Sequence, residues 1–114
     1  MTDLEYLHLA WEAVLDKKGR EPVLLDLREL SRVTDHFLIA SADTAVQVKA
    51  IADRVEELLL DKGLAPLRRE GYQQGYWVLL DYGFLVVHIL RQPERDFYRL
   101  EHLWQDAKPV NLPL

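Results

Sequence analysis

Residues 76–90 read YWVLLDYGFLVVHIL, a run that is apolar except at Asp81, Gly83 and His88. Strand side chains alternate between two faces, so a ribbon apolar at nearly every position needs cover on both. A two-residue turn at Tyr82-Gly83 opposes Asp81 with Phe84, Leu79 with Val86 and Trp77 with His88. One face then carries Tyr76, Val78, Leu80, Leu85, Val87 and Ile89 and is the expected core. The other carries Trp77, Leu79, Asp81, Phe84, Val86 and His88, with polar groups set among large apolar ones. From the residues alone two readings of this mixed face stand open. Either a helix or the C-terminal tail covers it, or it is exposed and meets a partner, as Trp and Phe beside polar groups do in binding hot spots.

Working outward, Leu4, Leu7, Trp11, Val14 and Leu15 recur at helical spacing and predict a helix over residues 3–18, stopped by Gly19. PVLLDLREL at 22–30 alternates as a strand, and DHFLIAS at 35–41 reads as a second. Val48, Ile51, Ala52, Val55, Leu58 and Leu59 form one helical stripe, with Thr44 and Gln47 placed for a capping box and Gly63 beyond the end. A helix of that length between strands implies a crossover and a parallel pair. LRREG, YWVLLD and FLVVHIL then predict an antiparallel meander. QPERDFYRLEHLWQDA returns to helical spacing, with Phe97, Leu100, Leu103 and Trp104 on one side. The expected architecture is a single α/β (α+β) layer domain over residues 1–107, a mixed sheet of about five strands with helices packed against it. Residues 108–114, KPVNLPL, are a tail either loose or docked as extended chain.

The chain of 114 residues has room for one core. Its composition is 49% hydrophobic and 29% charged, with no cysteine, which removes disulfides and thiolate chemistry. No apolar run reaches the roughly 18–20 residues of a membrane span, and TDLEYLH after Met1 is not a leader, so a cytoplasmic protein is expected. The formal charge of −5 argues against direct DNA binding, leaves RNA contact peripheral, and points to a basic protein partner.

Catalytic patterns are missing. His8, His36, His88 and His102 have no metal-ligand spacing, and no phosphate loop, dinucleotide fingerprint or nucleophile elbow occurs. Asp26, Asp35, Asp43 and Asp81 lie at turns and strand ends, where aspartate is common. No cofactor or metal is expected.

Three segments carry a resemblance: TDHFLIASADTAVQVKAIADRVEELL at 34–59, EGYQQGYWVLLDYGFLVVHIL at 70–90 and RDFYRLEHLWQDA at 95–107. Together they resemble the ribosomal silencing factor, or iojap-like, family. The resemblance implies a fold similar to nucleotidyltransferases without their acidic motif, and a non-enzymatic factor that binds the large ribosomal subunit through its protein L-fourteen. Blocking small-subunit joining, repressing translation under nutrient shortage and aiding large-subunit maturation are implied with it, as is dimerisation in some members. It places the partner at Trp77 and the DYG segment. The candidate site is therefore Trp77, Leu79, Asp81, Tyr82, Gly83, Phe84, Val86 and His88, with Lys49 on the central helix as an outlier. Phe84 stands where the family usually has an acidic residue. The competing expectations are a magnesium-dependent nucleotidyltransferase using Asp26, Asp35 or Asp81, and a homodimer whose contact is the mixed face.

Overall fold

Thr2 starts the first helix. Its hydroxyl accepts from the Glu5 N–H while the Glu5 carboxylate accepts from the Thr2 N–H, a reciprocal capping box. Helix α1 (Asp3–Asp16) buries Leu7, Ala10, Ala13 and Val14 along one stripe. Its longer neighbour α2 (Ala45–Asp61) buries Val48, Ile51, Ala52, Val55 and Leu59. Thr44 caps α2 by accepting from the Gln47 N–H. The Gln47 side chain does not complete the box; it donates to the Lys17 and Lys18 carbonyls and ties the two helices together. This computed structural model describes residues 1–112.

The strands are β1 (Arg20–Asp26), β2 (His36–Ala42), β3 (Arg68–Glu70), β4 (Trp77–Asp81), β5 (Leu85–Arg91) and β6 (Lys108–Pro109), in the spatial order β3-β4-β5-β2-β1-β6. β2 and β5 are parallel; every other pair is antiparallel. The expected crossover and meander are both present. The sixth strand comes from the tail, where Lys108 and Pro109 pair with Asp26 and Leu25 and the Val110 N–H donates to the Leu24 carbonyl.

Both helices α1 and α2 pack on one face of the sheet, over Leu24, Leu38, Ala40, Val78, Leu80, Leu85, Val87 and Ile89. Fully burying a Leu, Ile or Val contributes roughly 1.5–3 kcal/mol before the entropy of ordering is subtracted, so this layer dominates the stability.

Three expectations are corrected. The first strand stops at Asp26 and does not run to Leu30, because the Asp26 carboxylate accepts from the Arg28 N–H and Leu27 accepts from Leu30 and Ser31, closing a turn. The hairpin turn lies one residue later than Tyr82-Gly83. The Tyr82 N–H donates to the Leu85 carbonyl at 2.8 Å, leaving Gly83 and Phe84 as the turn pair. Gly83 has φ +88, as the first position of a II′-type turn requires, and that preference fixes the register. Trp77 is opposite Leu90, Leu79 opposite His88 and Asp81 opposite Val86. A shift of two residues keeps every strand side chain on its predicted face. Only the turn residues change sides: Tyr82 joins the helix-side core, and Phe84 packs beside it with its ring 6.1 Å from that of Tyr6.

The third correction concerns the C-terminal helix, which is two pieces: α3 (Gln92–Tyr98) and α4 (Leu100–Leu103). Arg99 between them is left-handed, with φ 50 and ψ 56. That break turns Leu100 and Trp104 inward and leaves Phe97 and Leu103 exposed, so the expected single stripe does not form.

Two glycines make the packing testable. A Cβ on Gly83 would meet only Leu67, at 3.5 Å, whereas one on Gly71 (φ +77) would lie 2.0 Å from the Trp77 carbonyl oxygen. Gly83→Ala should cost about 1 kcal/mol of backbone strain, and Gly71→Ala clearly more, since β4 must also move. Urea melts of the two variants check this; equal midpoints would contradict the close approach at Trp77.

Candidate partner-binding face

The face of the sheet opposite α1 and α2 is half covered. Leu100 and Ala107, with Trp104 beside them, pack on Leu25, Leu27, Ile39 and Leu90. This closes the β1, β2 and β5 part of the face. On β4 the side chains of Trp77, Leu79 and Asp81 stay partly exposed. The cover of the first reading is present over β1, β2 and β5, and β4 is left partly open.

Trp77 is held from three sides. Its indole N–H donates to His88 Nδ1 at 3.1 Å, its ring lies 5.0 Å from that of Tyr98 on α3, and its carbonyl abuts Gly71. His88 is 5% exposed, and its ring meets Phe37 edge-on at 4.5 Å. Phe37 in turn meets Trp104 edge-on at 5.5 Å. Tyr98, Trp77, His88, Phe37 and Trp104 thus form a continuous aromatic row across the sheet. Phe97, 79% exposed, extends it outward by stacking edge-on against Tyr98 at 5.0 Å.

The other predicted residues divide. Val86 lies on this face, almost buried. Asp81 is engaged locally, accepting from the Gly83 N–H at 2.8 Å and pairing with Arg68 at 3.2 Å. Gly83 lies in the hairpin turn and Phe84 beside it; Phe84 packs on the α1 side, not on the mixed face. Tyr82 is buried in the helix-side core, where desolvation pushes its phenol well above its usual range. Lys49 lies on α2, 5.7 Å from the Tyr72 ring, and α2 packs on the opposite side of the sheet. The structure brings together Trp77, Leu79, Asp81, Val86 and His88 and separates them from Tyr82, Phe84 and Lys49.

The carboxylates do not assemble a metal centre. Arg28 grips Asp26 through two hydrogen bonds, of 3.0 and 2.7 Å, and holds its carboxyl far below the usual range. Asp81 is on β4, three strand spacings or roughly 14 Å from β1. Among the described residues, no group of three or more His, Cys, Asp or Glu side chains is placed to hold a metal.

A family model described as "Ribosomal silencing factor during starvation" matches residues 2–114. The chain belongs to this family. It is 42% identical over 112 residues to the ribosomal silencing factor RsfS of Halalkalibacterium halodurans, covering 98% of this chain and 96% of that one. It is 36% identical to the RsfS of Bacillus subtilis, covering 98% and 95%. A crystal structure of a Chromobacterium violaceum protein matches the fold with a TM-score of 0.90 at 36% identity, covering all of this chain and 95% of that one.

In this member of the silencing-factor family, Phe97 and Leu103 are surface residues that periodicity assigned to the core, and Tyr98 beside them is exposed too. Helical spacing cannot register a single left-handed residue, and Arg99 is that residue.

Burial holds the His88 imidazole down to about 4, against an ordinary value of 6.5. In the unfolded chain it takes up a proton below about pH 6.5, and in the folded one it does not. Its contribution to stability is therefore complete above pH 6.5 and falls as the pH drops toward 4, by roughly 3 kcal/mol at most. Urea melts at pH 7 and pH 4.5 should show a smaller loss for His88→Asn than for the parent protein. Equal losses would mean that His88 is protonated in the fold.

Proposed function

We propose that this protein represses translation by binding the large ribosomal subunit through its protein L-fourteen, so placed that the small subunit cannot join. Family membership supports the ribosomal role, and the partly exposed Trp77 set among fixed aromatic rings supports the choice of surface. An aromatic anchor partly buried in its own fold and open on one side loses little conformational freedom on binding. Phe97 and Tyr98 continue that surface beyond the sheet. The net charge of −5 favours a basic protein as the primary contact over the phosphate backbone of ribosomal RNA. The action is steric and needs no reaction at this face, consistent with carboxylates tied up by Arg28 and Arg68. Such a factor works in the compartment of the ribosomes, the cytoplasm.

The test is cosedimentation with isolated large subunits, followed by a subunit-joining assay with the protein present. Neighbouring positions of β4 should fail in different ways. Trp77→Ala should keep its fold and lose about 2 kcal/mol or more in binding the L-fourteen protein. Leu80→Ala, wholly buried under α2, should lose about 2–5 kcal/mol of stability and bind normally while folded. Urea melts and binding isotherms on the same preparations separate the two. Full binding by Trp77→Ala would move the partner to another surface.

A further inference from the structure

The His88 ring presents a contradiction. It is almost completely buried, its neighbours in the sheet are hydrocarbon, and its Nε2 has no hydrogen-bond partner. A Leu at this position would fill similar space without burying an unmade hydrogen bond. The Trp77 indole N–H can only donate, so Nδ1 must present a lone pair and the proton must sit on Nε2. The partnerless atom is therefore a buried N–H, the direct consequence of using Nδ1 as an acceptor. Accepting from Trp77 is the one thing in this environment that an imidazole does and a Leu cannot.

The ring is also braced. Phe37 meets it edge-on at 4.5 Å, and Leu79 stands directly opposite it across the β4–β5 ladder. Trp77 itself pairs with Leu90, so the hydrogen bond runs diagonally between the strands and fixes the direction of the indole within the face.

We infer that His88 is a positioning residue for the partner surface: as the Nε2–H tautomer it holds the Trp77 indole in the orientation in which the partner meets it. This rests on the reading that Trp77 anchors the partner. His88 itself need not touch that partner, being closed off beneath Trp77, Phe37 and the strand.

Two substitutions separate positioning from packing. His88→Leu keeps the volume and removes the acceptor; His88→Asn places an amide oxygen near the site of Nδ1. The measurements are cosedimentation with isolated large subunits, urea melts, and the indole N–H resonance of Trp77 in the free protein. His88→Leu should melt no earlier than the parent, weaken binding about tenfold or more, and shift the Trp77 resonance while speeding its exchange with water. His88→Asn should recover most of the affinity and much of the exchange protection. Parent-like binding and an unshifted resonance in His88→Leu overturn the inference, as does equal weakness in both variants, which marks a purely structural role. If the parent protein itself does not bind large subunits, the proposed function fails and the positioning role falls with it. Binding by the parent with unimpaired His88→Leu removes the positioning role alone.

Discussion

The constraint on which the structure depends is that β5 has no exposed face. Leu85, Val86, Val87, His88, Ile89 and Leu90 are all buried, so cover is required on both sides of the sheet. Two long helices supply one side, and among the described residues there is no third helix of comparable length for the other. The chain uses the segment 92–109 instead, folded as two short helical pieces and a strand. Such pieces have little intrinsic stability and must be tied to the sheet.

Arg95 is the tie. Its guanidinium is 5% exposed and donates to the carbonyls of Arg20 and Glu21 and to the Ser41 hydroxyl, with Glu101 as its counter-charge. Those carbonyls are available because β1 is irregular there: the register slips between Arg20 and Val23, Glu21 has φ 46, and Pro22 offers no N–H. A buried charge is stable only when paired and hydrogen-bonded, so the bulge and the arginine require each other. Arg95 thus fixes α3 at this corner, where the C-terminal segment starts across the sheet. That segment reaches β1, β2 and β5. At β4 only Tyr98 reaches over, against Trp77, which stays at the edge of the cover.

Much of this was legible in the residues. The alternation of 76–90 assigned the strand side chains to their faces, and that assignment survived a misplaced turn because the error was a whole strand period. The stripe from Val48 to Leu59 predicted α2, and the short glycine loops predicted the meander. What could not be read were features set by one residue's backbone or by contacts distant in sequence. Nothing in RDFYRLEHLW announces a left-handed Arg99, so Phe97 and Leu103 were assigned inward. Nothing links Arg95 to carbonyls some 75 positions earlier. Lys108–Pro109 becomes a strand only because the outer edge of β1 accepts it.

Half-cover has a physical advantage over the two simpler solutions. A sheet face left wholly bare would expose a large apolar area to water and to other chains. A face wholly covered would offer nothing to a partner. Here the apolar row passes from the partly buried Trp104 and Phe37, through buried His88, to Trp77 and Tyr98 at the edge and Phe97 in solvent. The exposed end is small, and each ring is fixed by the one beneath it. The entropy of ordering Trp77 is met during folding, so little remains to be lost when the face is occupied. Rigidity of the surface thus comes from the same buried contacts that close the second side of β5.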